Sequence, residues 1–434
     1  MHNSRRKFIQ QTILGSYLGA QGSLLFAESP TKIQSPSLKK AKIVIVGAGF
    51  GGAATAKYLK ILSGGQIDVI LIDPSPSLIS CPLSNLVING QMQISDITKS
   101  RELLQQKYGV RVIQDTVERI LPEVKKIVLQ QGMTVPYDKL ILSPGVDMIW
   151  DSLPAMKDPV LQNRFVHAMK AGSQTLTLRK QLESMQDGEV FAISIPLAPY
   201  RCPPSPYERA SQVANYFKKY KPRSKILVLD ANAEITSKST LFKKAWSNYY
   251  PNMIEYRNNH TLVDVDASEN ALMFEVQDDV KAAVLNVIPP MRAGDIAFRS
   301  NLANINKRWC EIDFLTYESK MISDIHILGD AIQSSTQTPK SAQVANGQAK
   351  ICASAIYQQL ADLPINKTPT FSSICYSVLG EKTGAHISTM HQFDPKMQSM
   401  AVVPGSNSIS TVDNAQEYSA AIKWAHDIWS DTLI

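Results

Sequence analysis

The sequence predicts an α/β fold with two parallel-sheet units and a C-terminal α+β region. Three observations support this prediction. A β-branched run at residues 43–46 leads directly into a glycine-rich turn and a helix. A second series of buried strands and helices occupies residues 179–230, and an apolar strand at 325–328 ends in a Gly-Asp pair. Short buried runs that alternate with helices are typical of parallel sheets, so we expect two Rossmann-like nucleotide-binding domains.

The first unit carries a dinucleotide-binding pattern. Gly47, Gly49 and Gly52 form G-x-G-x-x-G between a buried strand and a helix, and a second strand ends at Asp73. The first glycine permits the tight turn, the second lets the backbone approach a pyrophosphate, and the third lets helix and strand pack closely. The free N–H groups at the helix start favour phosphate, and the acid can bind a ribose diol.

Three further features complete this unit. Residues 109–112 predict a third strand, and residues 127–129 and 134–135 predict a hairpin. A buried strand ends in the small-residue turn at Gly145, as is common where FAD-binding segments meet their cofactor. The Gly329-Asp330 pair is expected to place its carboxylate on the ribityl chain of FAD. The residues expected to bind this cofactor are Gly47, Gly49, Phe50, Gly51, Gly52, Asp73, Val117, Gly145, Gly329 and Asp330. Cys81 and Lys340 join them only as residues that a family resemblance implies.

The second unit has lost its phosphate loop. Residues 189–195 and 225–229 predict strands, and residues 211–219 predict the helix between them. Where glycines would bind a pyrophosphate, residues 196–206 contain five prolines. Proline fixes φ and removes an N–H donor, so this loop cannot wrap phosphates. We therefore expect a Rossmann-like domain without an NAD(P)H site.

The N-terminus predicts export. Ser4-Arg5-Arg6-Lys7 precedes a mildly apolar, glycine-containing stretch that closes at Ala27. This pattern is typical of a twin-arginine signal peptide, a route for folded proteins, and the stretch is too polar for a stable membrane span. Its removal lowers the formal net charge from +7 to +4. We expect a periplasmic protein without an integral membrane segment, and the absence of Lys/Arg runs argues against nucleic acid.

Six segments follow from these patterns. Residues 284–288 are expected to return the chain to the first unit, and the last helix, with Ile428 and Trp429 on one face, is expected to dock on its own domain. The predicted segments are a signal peptide (1–27), a linker (28–40), the first segment of the FAD-binding domain (41–155), the second Rossmann-like domain (156–283), the second segment of the FAD-binding domain (284–357) and a C-terminal interface domain (358–434).

The five cysteines are Cys81, Cys202, Cys310, Cys352 and Cys375. The chain has no C-x-x-C pair and no C-x-x-C-H, so we expect neither a metal site nor a haem of its own. Cys202 lies in the proline loop and Cys310 lies 20 residues before Asp330, so both could reach a flavin ring. From spacing alone, a structural disulfide, two unpaired thiols and a redox-active pair all remain open. Cys352 is expected in the core, and Cys375 has no visible partner.

The chain resembles the flavoprotein subunit of flavocytochrome c sulfide dehydrogenase. The resemblance implies two Rossmann-like domains of the disulfide-reductase/FAD type. The resemblance covers nearly the whole chain after the linker, and the Arg-Cys-Pro-Pro stretch is its most specific part. It is carried by residues 46–53, 81–88, 201–211, 288–294, 329–331 and 339–341.

The resemblance implies a redox-active disulfide between Cys202 and Cys310, and a covalent bond from Cys81 to the 8α carbon of FAD. It further implies oxidation of hydrosulfide, which would attack Cys202 while Cys310 faces the flavin, and a c-type cytochrome subunit as electron acceptor. Three alternatives remain. They are a sulfide:quinone oxidoreductase, an NADH-dependent disulfide reductase or NADH dehydrogenase, and a non-catalytic flavin-binding partner in sulfur oxidation.

Overall fold

The structure is a computed structural model and describes residues 38–335 and 337–434. The predicted signal peptide (1–27) and residues 28–37 of the predicted linker lie outside the described residues. The described part of the chain contains no helix that is both long and apolar enough to cross a membrane.

The secondary structure alternates between strands and helices for most of the described chain. The α-helices are α1 (Phe50–Leu62), α2 (Ser84–Ile88), α3 (Glu102–Gln106), α4 (Pro159–Arg164), α5 (Ser173–Ser184), α6 (Ser205–Tyr220), α7 (Ser239–Tyr249), α8 (Asp295–Arg299), α9 (Ala342–Leu360) and α10 (Ala415–Leu433). The strands are β1 (Lys42–Val46), β2 (Asp68–Ile72), β3 (Leu78–Ile79), β4 (Thr98–Lys99), β5 (Arg111–Ile113), β6 (Val117–Leu121), β7 (Lys126–Leu129), β8 (Thr134–Pro136), β9 (Lys139–Leu142), β10 (Val146–Met148), β11 (Val190–Ile195), β12 (Lys225–Asp230), β13 (Ile254–Arg257), β14 (Leu262–Asp266), β15 (Ala271–Phe274), β16 (Val280–Lys281), β17 (Val284–Val287), β18 (Met291–Ala293), β19 (Ile325–Ile327), β20 (Thr370–Val378), β21 (Gly384–Asp394), β22 (Ser399–Val402) and β23 (Ser408–Ile409).

The first unit is a five-stranded parallel sheet. Its strand order is β19-β9-β1-β2-β5, with β1 in the centre. The predicted strands at 43–46 and 325–328 are confirmed as β1 and β19, and the second strand, β2, ends directly before Asp73 as predicted. The predicted third strand begins two residues later than expected, as β5. Because β1 is central, the glycine turn that follows it lies in the middle of the carboxyl edge of the sheet, where ligands bind in such folds.

The second unit is a four-stranded parallel sheet with the order β13-β12-β11-β17. The expected return to the first unit at residues 284–288 was wrong, because β17 pairs with β11, with Phe191 opposite Val284. The chain leaves this sheet only with β18, which pairs with β10. Both sheets are built from buried β-branched runs, and the run at 284–288 does not reveal which sheet it joins.

Two helices begin where the sequence predicted loop. Helix α1 starts at Phe50, directly after Gly49, so its first N–H groups face the carboxyl edge of the sheet. Helix α6 starts at Ser205, inside the predicted proline loop. Pro206 is tolerated there because the N–H groups in the first turn of a helix have no acceptor within the helix, so the missing N–H of proline costs no hydrogen bond.

The C-terminal region is an antiparallel sheet with one long helix. Strands β20, β21 and β22 pair in order, and β23 joins β21. Trp429 of α10 donates from Nε1 to Ser80 Oγ at 2.8 Å. Lys57 of α1 donates from Nζ to the carbonyls of Ser430 and Asp431 at 3.1 and 3.0 Å. Helix α10 also packs on β20 and β21 of the C-terminal sheet, which confirms the prediction that it docks on its own domain.

Candidate functional site

The glycine turn after β1 combines close packing with open space. A Cβ atom on Gly52 would lie 1.8 Å from the carbonyl oxygen of Gly47, and one on Gly47, whose φ is +92°, would lie 2.3 Å from the carbonyl oxygen of Ser143. A Cβ on Gly49 would meet no atom within 4 Å. Gly47 and Gly52 are therefore required by packing, whereas Gly49 faces a space that a pyrophosphate can fill at the start of α1.

Asp73 is held at this turn. Its carboxylate accepts from the N–H of Ala48 at 2.7 Å and from the N–H of Ser75 at 2.9 Å. Arg101, which is buried, lies 3.4 Å from the same carboxylate and donates to the carbonyl of Ala48 at 3.2 Å. Sequence reasoning missed Arg101, because only the fold brings residue 101 to the turn.

The Gly-Asp pair lies opposite the glycine turn. Gly329 adopts a φ of +79° and donates to Gln348 Oε1 at 2.8 Å. Asp330 is buried, and its carboxylate forms an ion pair with Arg201 at 3.2 Å. Lys340 donates from Nζ to the carbonyls of Asp330 and Ile332 at 3.0 and 2.6 Å. Burial lowers the pKa of Lys340 to about 8.

The other expected cofactor residues flank these two turns. A Cβ on Gly51 would lie 2.4 Å from the side chain of Leu328, which explains the glycine at that position. Gly145 has a φ of +68°, and its carbonyl accepts from the N–H of Gly294 at 2.9 Å. Phe50 and Val117 are both buried. Their positions are compatible with a bound dinucleotide, and their role in binding one stays a prediction.

Three cysteines line one small cavity. Cys81 precedes α2, Cys202 precedes α6, and Cys375 lies on β20 of the C-terminal sheet. The cavity has a volume of about 60 Å³, and Arg201 and Glu208 also line it. The three segments that meet here belong to the first unit, the second unit and the C-terminal sheet. The cavity is thus a product of tertiary structure, and Cys375 was missed because nothing near it in sequence marks it.

Cys375 also borders a wider groove on its other side. This groove has a volume of about 500 Å³, and its lining is rich in hydroxyl groups, including those of Thr236, Ser373 and Thr389. Lys238 donates from Nζ to the carbonyl of Cys375 at 3.0 Å. Of the cysteines that line the inner cavity, Cys375 alone also borders this groove.

Cys310 lies in the core of the first unit, and its expected pairing with Cys202 stays a prediction. It is completely buried, and its N–H donates to the carbonyl of Ala331 at 3.0 Å. It does not line the cavity. All five cysteines are free thiols in the structure. Burial raises the pKa values of Cys202 and Cys375, and raises that of Cys310 to about 12, so each thiol is held neutral. Cys352 is buried in α9, as expected.

The side chains that follow Cys202 on α6 are polar and oriented by hydrogen bonds. Glu208 accepts from the N–H of Val378 at 3.2 Å, and burial raises its pKa to about 7. Arg209 is fully buried and has no carboxylate among its hydrogen-bond partners. It donates to Asn85, Asn286 and the carbonyls of His167 and Ala168, at 2.6 to 3.2 Å. The cavity therefore has a proton acceptor that titrates near neutrality and a buried positive charge behind it.

The nucleotide site of the second unit is closed by its own side chains. Asp230 ends β12, at the position equivalent to Asp73 of the first unit. Its carboxylate accepts from Tyr207 at 2.6 Å, from Tyr256 at 3.1 Å and from the N–H of Asn232 at 2.9 Å. The acid that would bind a ribose is thus already saturated, in agreement with the loss of the phosphate loop.

Comparison with family models divides the chain into three matched stretches. Residues 41–182 match pyridine nucleotide-disulphide oxidoreductases. Residues 175–289 match the central part of the flavoprotein chain of sulfide dehydrogenase (flavocytochrome c), and residues 367–433 match the flavin-binding part of flavocytochrome c sulphide dehydrogenase. The last of these stretches contains Cys375.

Two curated relatives extend this finding. The chain is 25% identical over 374 residues to the mitochondrial sulfide:quinone oxidoreductase of Dictyostelium discoideum. This match covers 82% of this chain and 81% of that protein. It is 50% identical over 46 residues to the flavoprotein chain of sulfide dehydrogenase (flavocytochrome c) from Chlorobaculum thiosulfatiphilum, a match that covers 11% of this chain and 94% of that sequence.

Solved structures confirm the predicted fold class. The sulfide:quinone oxidoreductase of Aquifex aeolicus superposes with a TM-score of 0.74 at 17% identity, covering 91% of this chain and 92% of that chain. The NDH2 of Plasmodium falciparum, solved in complex with NADH, superposes with a TM-score of 0.66 at 13% identity, covering 91% and 98%. At these identities the likeness concerns the fold alone.

The glycine turn makes a prediction about stability. Gly52→Ala is expected to destabilise the protein by about 1–3 kcal/mol or more, because its methyl group would overlap the Gly47 carbonyl. Gly49→Ala is the matched control and is expected to unfold within about 0.5 kcal/mol of the wild type, since its methyl group meets open space. Urea unfolding of both variants measures the difference, and equal loss in the two would contradict this account.

Proposed function

We propose that this chain is a flavoprotein of the family of sulfide:quinone oxidoreductases and flavocytochrome c sulfide dehydrogenases, that it binds FAD, and that it oxidises hydrosulfide at Cys202 and Cys375. The electrons then pass to a c-type cytochrome made as a separate chain. The observation that carries the proposal is the cavity in which Cys81, Cys202 and Cys375 meet beside Glu208. The twin-arginine pattern supports a periplasmic location, where disulfides are stable.

The residues of the first unit fit FAD. The open space in front of Gly49, at the start of α1, can hold the pyrophosphate of FAD. The carboxylate of Asp73 can accept hydrogen bonds from a ribose, and that of the buried Asp330 can accept them from the hydroxyl groups of the ribityl chain. Lys340 adds a positive charge near the ring end of such a ligand. FAD, when bound, supplies a centre that accepts two electrons together and releases them singly.

The oxidised form of the proposed site is a disulfide between Cys202 and Cys375. Hydrosulfide attacks the sulfur of Cys375, which the outer groove makes accessible. A new S–S bond forms to Cys375, the bond between the two cysteines breaks, and Cys202 leaves as a thiolate next to Arg201. The product is a persulfide on Cys375 and an electron-rich thiolate on Cys202. This order reverses the one implied by the resemblance, in which Cys202 received sulfide.

Glu208 is the proposed proton acceptor. It lines the same cavity, and its pKa of about 7 lets it take a proton from H₂S and release it to solvent at neutral pH. The attacking species is then HS⁻, formed next to the disulfide.

A quinone is the second candidate acceptor. Sulfide:quinone oxidoreductases are among the relatives that match most of the chain. We favour the cytochrome because residues 175–289 and residues 367–433 both match flavocytochrome c sulfide dehydrogenase. NAD(P)H is disfavoured by the proline loop and by the saturated carboxylate of Asp230.

The assignment of Cys202 and Cys375 predicts how three cysteine variants differ in the rate of sulfide-dependent flavin reduction. Cys202→Ser and Cys375→Ser are each expected to slow sulfide-dependent flavin reduction by at least a hundredfold, since serine offers neither a sulfur electrophile nor a thiolate leaving group. Cys310→Ser is expected to retain the wild-type rate. Anaerobic stopped-flow absorption measures all three, and peptide mass spectrometry of the oxidised protein should find the Cys202–Cys375 link. Loss of activity in Cys310→Ser with retention in Cys375→Ser would restore the original pairing.

The Glu208 assignment predicts a pH profile. Above pH 7 the carboxylate is ionised and can accept a proton, and below pH 7 it is protonated and cannot. When kcat/KM is calculated on the concentration of H₂S, which removes the ionisation of sulfide itself, it should therefore rise with pH to an inflection at about 7 and level off above it. Glu208→Gln should lower this kcat/KM about 10²-fold at pH 8 and remove the inflection, because only HS⁻ formed in solution can then attack. The exposed Glu123→Gln is the control and should keep the wild-type profile. An unchanged inflection in Glu208→Gln would rule out this role.

Cys81 predicts a covalent flavin. Its Sγ lies 3.7 Å from the carbonyl of Met169 and faces the shared cavity. Precipitation with trichloroacetic acid should leave yellow colour with the wild type, whereas Cys81→Ser should release it to the supernatant. Cys352→Ser, which alters a buried thiol in α9, should behave as the wild type. Free flavin from the acid-treated wild type would contradict the prediction.

The electron acceptor can be tested in one assay. With sulfide as donor, the protein should reduce a c-type cytochrome at least tenfold faster than a soluble ubiquinone analogue at equal concentration. Without sulfide, excess NADH should leave the oxidised flavin spectrum unchanged. Faster reduction of the quinone would favour the second candidate, and rapid bleaching by NADH would overturn the account of Asp230.

A further inference from the structure

A second, larger cleft lies at the far ends of the elements that carry the cavity. It has a volume of about 580 Å³ and opens between the ends of α6 and α7, the turn from β20 to β21, and the segment after α2. Tyr216 and Tyr249 belong to its wall, and Lys218, Lys219 and Lys382 are exposed at its rim. We call this surface the lysine–tyrosine cleft.

The lysines of the cleft form no ion pairs with the described residues. Lys218 donates only to the carbonyl of Tyr249, at 3.3 Å. Glu381 also lines the cleft, so three positive charges surround one negative charge. Tyrosines beneath a charged rim are typical of protein interfaces, and the excess of lysines fits an acidic partner.

The cleft and the cysteine cavity share three elements. Helix α6 carries Glu208 at the cavity and Lys218 at the cleft, ten residues later, which is about 15 Å along a helix. Strand β20 carries Cys375 at the cavity and leads to the turn at the cleft. Helix α2 follows Cys81 and ends at the cleft with Asn89.

A chain of buried hydrogen bonds ties the two sites together. Asn89 donates from Nδ2 to Gln212 Oε1 at 2.6 Å, and Gln212, which is fully buried, donates from Nε2 to the carbonyl of Val378 at 2.7 Å. The N–H of Val378 in turn donates to Glu208. The wall of the cleft is therefore fixed relative to the redox cavity.

From these observations we infer that the lysine–tyrosine cleft is the docking surface for the electron-accepting partner, a c-type cytochrome that presents an acidic face. The inference rests on the proposed function and adds to it the location and charge of the interface. If Cys81 holds the 8α carbon of FAD, the benzenoid edge of the flavin lies next to α2, whose other end borders the cleft.

Charge reversal tests the inference. The variant K218E/K219E/K382E alters the cleft, and K126E/K225E/K396E is a control with the same change in net charge at exposed lysines that do not line it. Titration calorimetry would measure the binding of an oxidised bacterial c-type cytochrome of negative net charge, at low and at high salt. The cleft variant should bind at least tenfold more weakly at low salt and show a smaller salt dependence, whereas the control should stay within twofold of the wild type.

Binding and sulfide chemistry are read separately. Sulfide should reduce the flavin of both variants at the wild-type rate, so failure of that reaction in the wild type would refute the proposed function and leave the binding result intact. Equal weakening in both variants would show that net charge alone attracts the cytochrome, and unchanged binding in the cleft variant would place the interface elsewhere. Either result, or no binding by the wild type, overturns the inference.

Discussion

The guanidinium of Arg209 is the interaction on which the geometry of the cavity depends. It is completely buried, and its donors bind Asn85 of α2, Asn286 of β17 and the carbonyls of His167 and Ala168. A buried charge is costly unless every donor is satisfied, so the three segments must converge on it in one arrangement. The next carbonyl, that of Met169, contacts Cys81. One side chain thus sets the positions of segments from both Rossmann-like units around the thiols.

The two Rossmann-like units show how the same framework reaches opposite outcomes. Each has an acid at the end of its second strand, Asp73 in the first and Asp230 in the second. Asp73 is held by backbone N–H groups and retains space in front of Gly49, whereas Asp230 is covered by Tyr207 and Tyr256. Tyr207, which directly follows the proline loop, therefore occupies the acid that a second nucleotide would need. Fold alone does not decide the ligand, and the side chains at the strand ends do.

Local signals made much of the fold predictable. The glycine turn, the parallel strands and the proline loop each depend on residues close in sequence, and each appeared where expected within a few residues. The membership of β17 in the second sheet could not be predicted, because a buried strand has the same apolar sequence pattern in either sheet. Cys375 could not be predicted either. It lines the same cavity as Cys202, from which it is separated by 173 positions in the sequence. No local pattern encodes the packing of its strand against the proline loop, whereas the spacing of Cys310 drew attention to that residue instead.

The docking of α10 has a consequence for the order of events during synthesis. Trp429 of α10 donates a hydrogen bond to Ser80, which precedes Cys81 and lies 349 positions earlier in the sequence. Lys57 of α1 donates to the carbonyls of Ser430 and Asp431 in the last turn of α10. Chains leave the ribosome N-terminus first, and the early units begin to fold before the later ones exist. The first unit can therefore fold before α10 exists. Ala421 and Trp424 of α10 line the cysteine cavity, so that cavity is completed only after the last helix is made. A chain interrupted before residue 415 would lack one wall of the cavity.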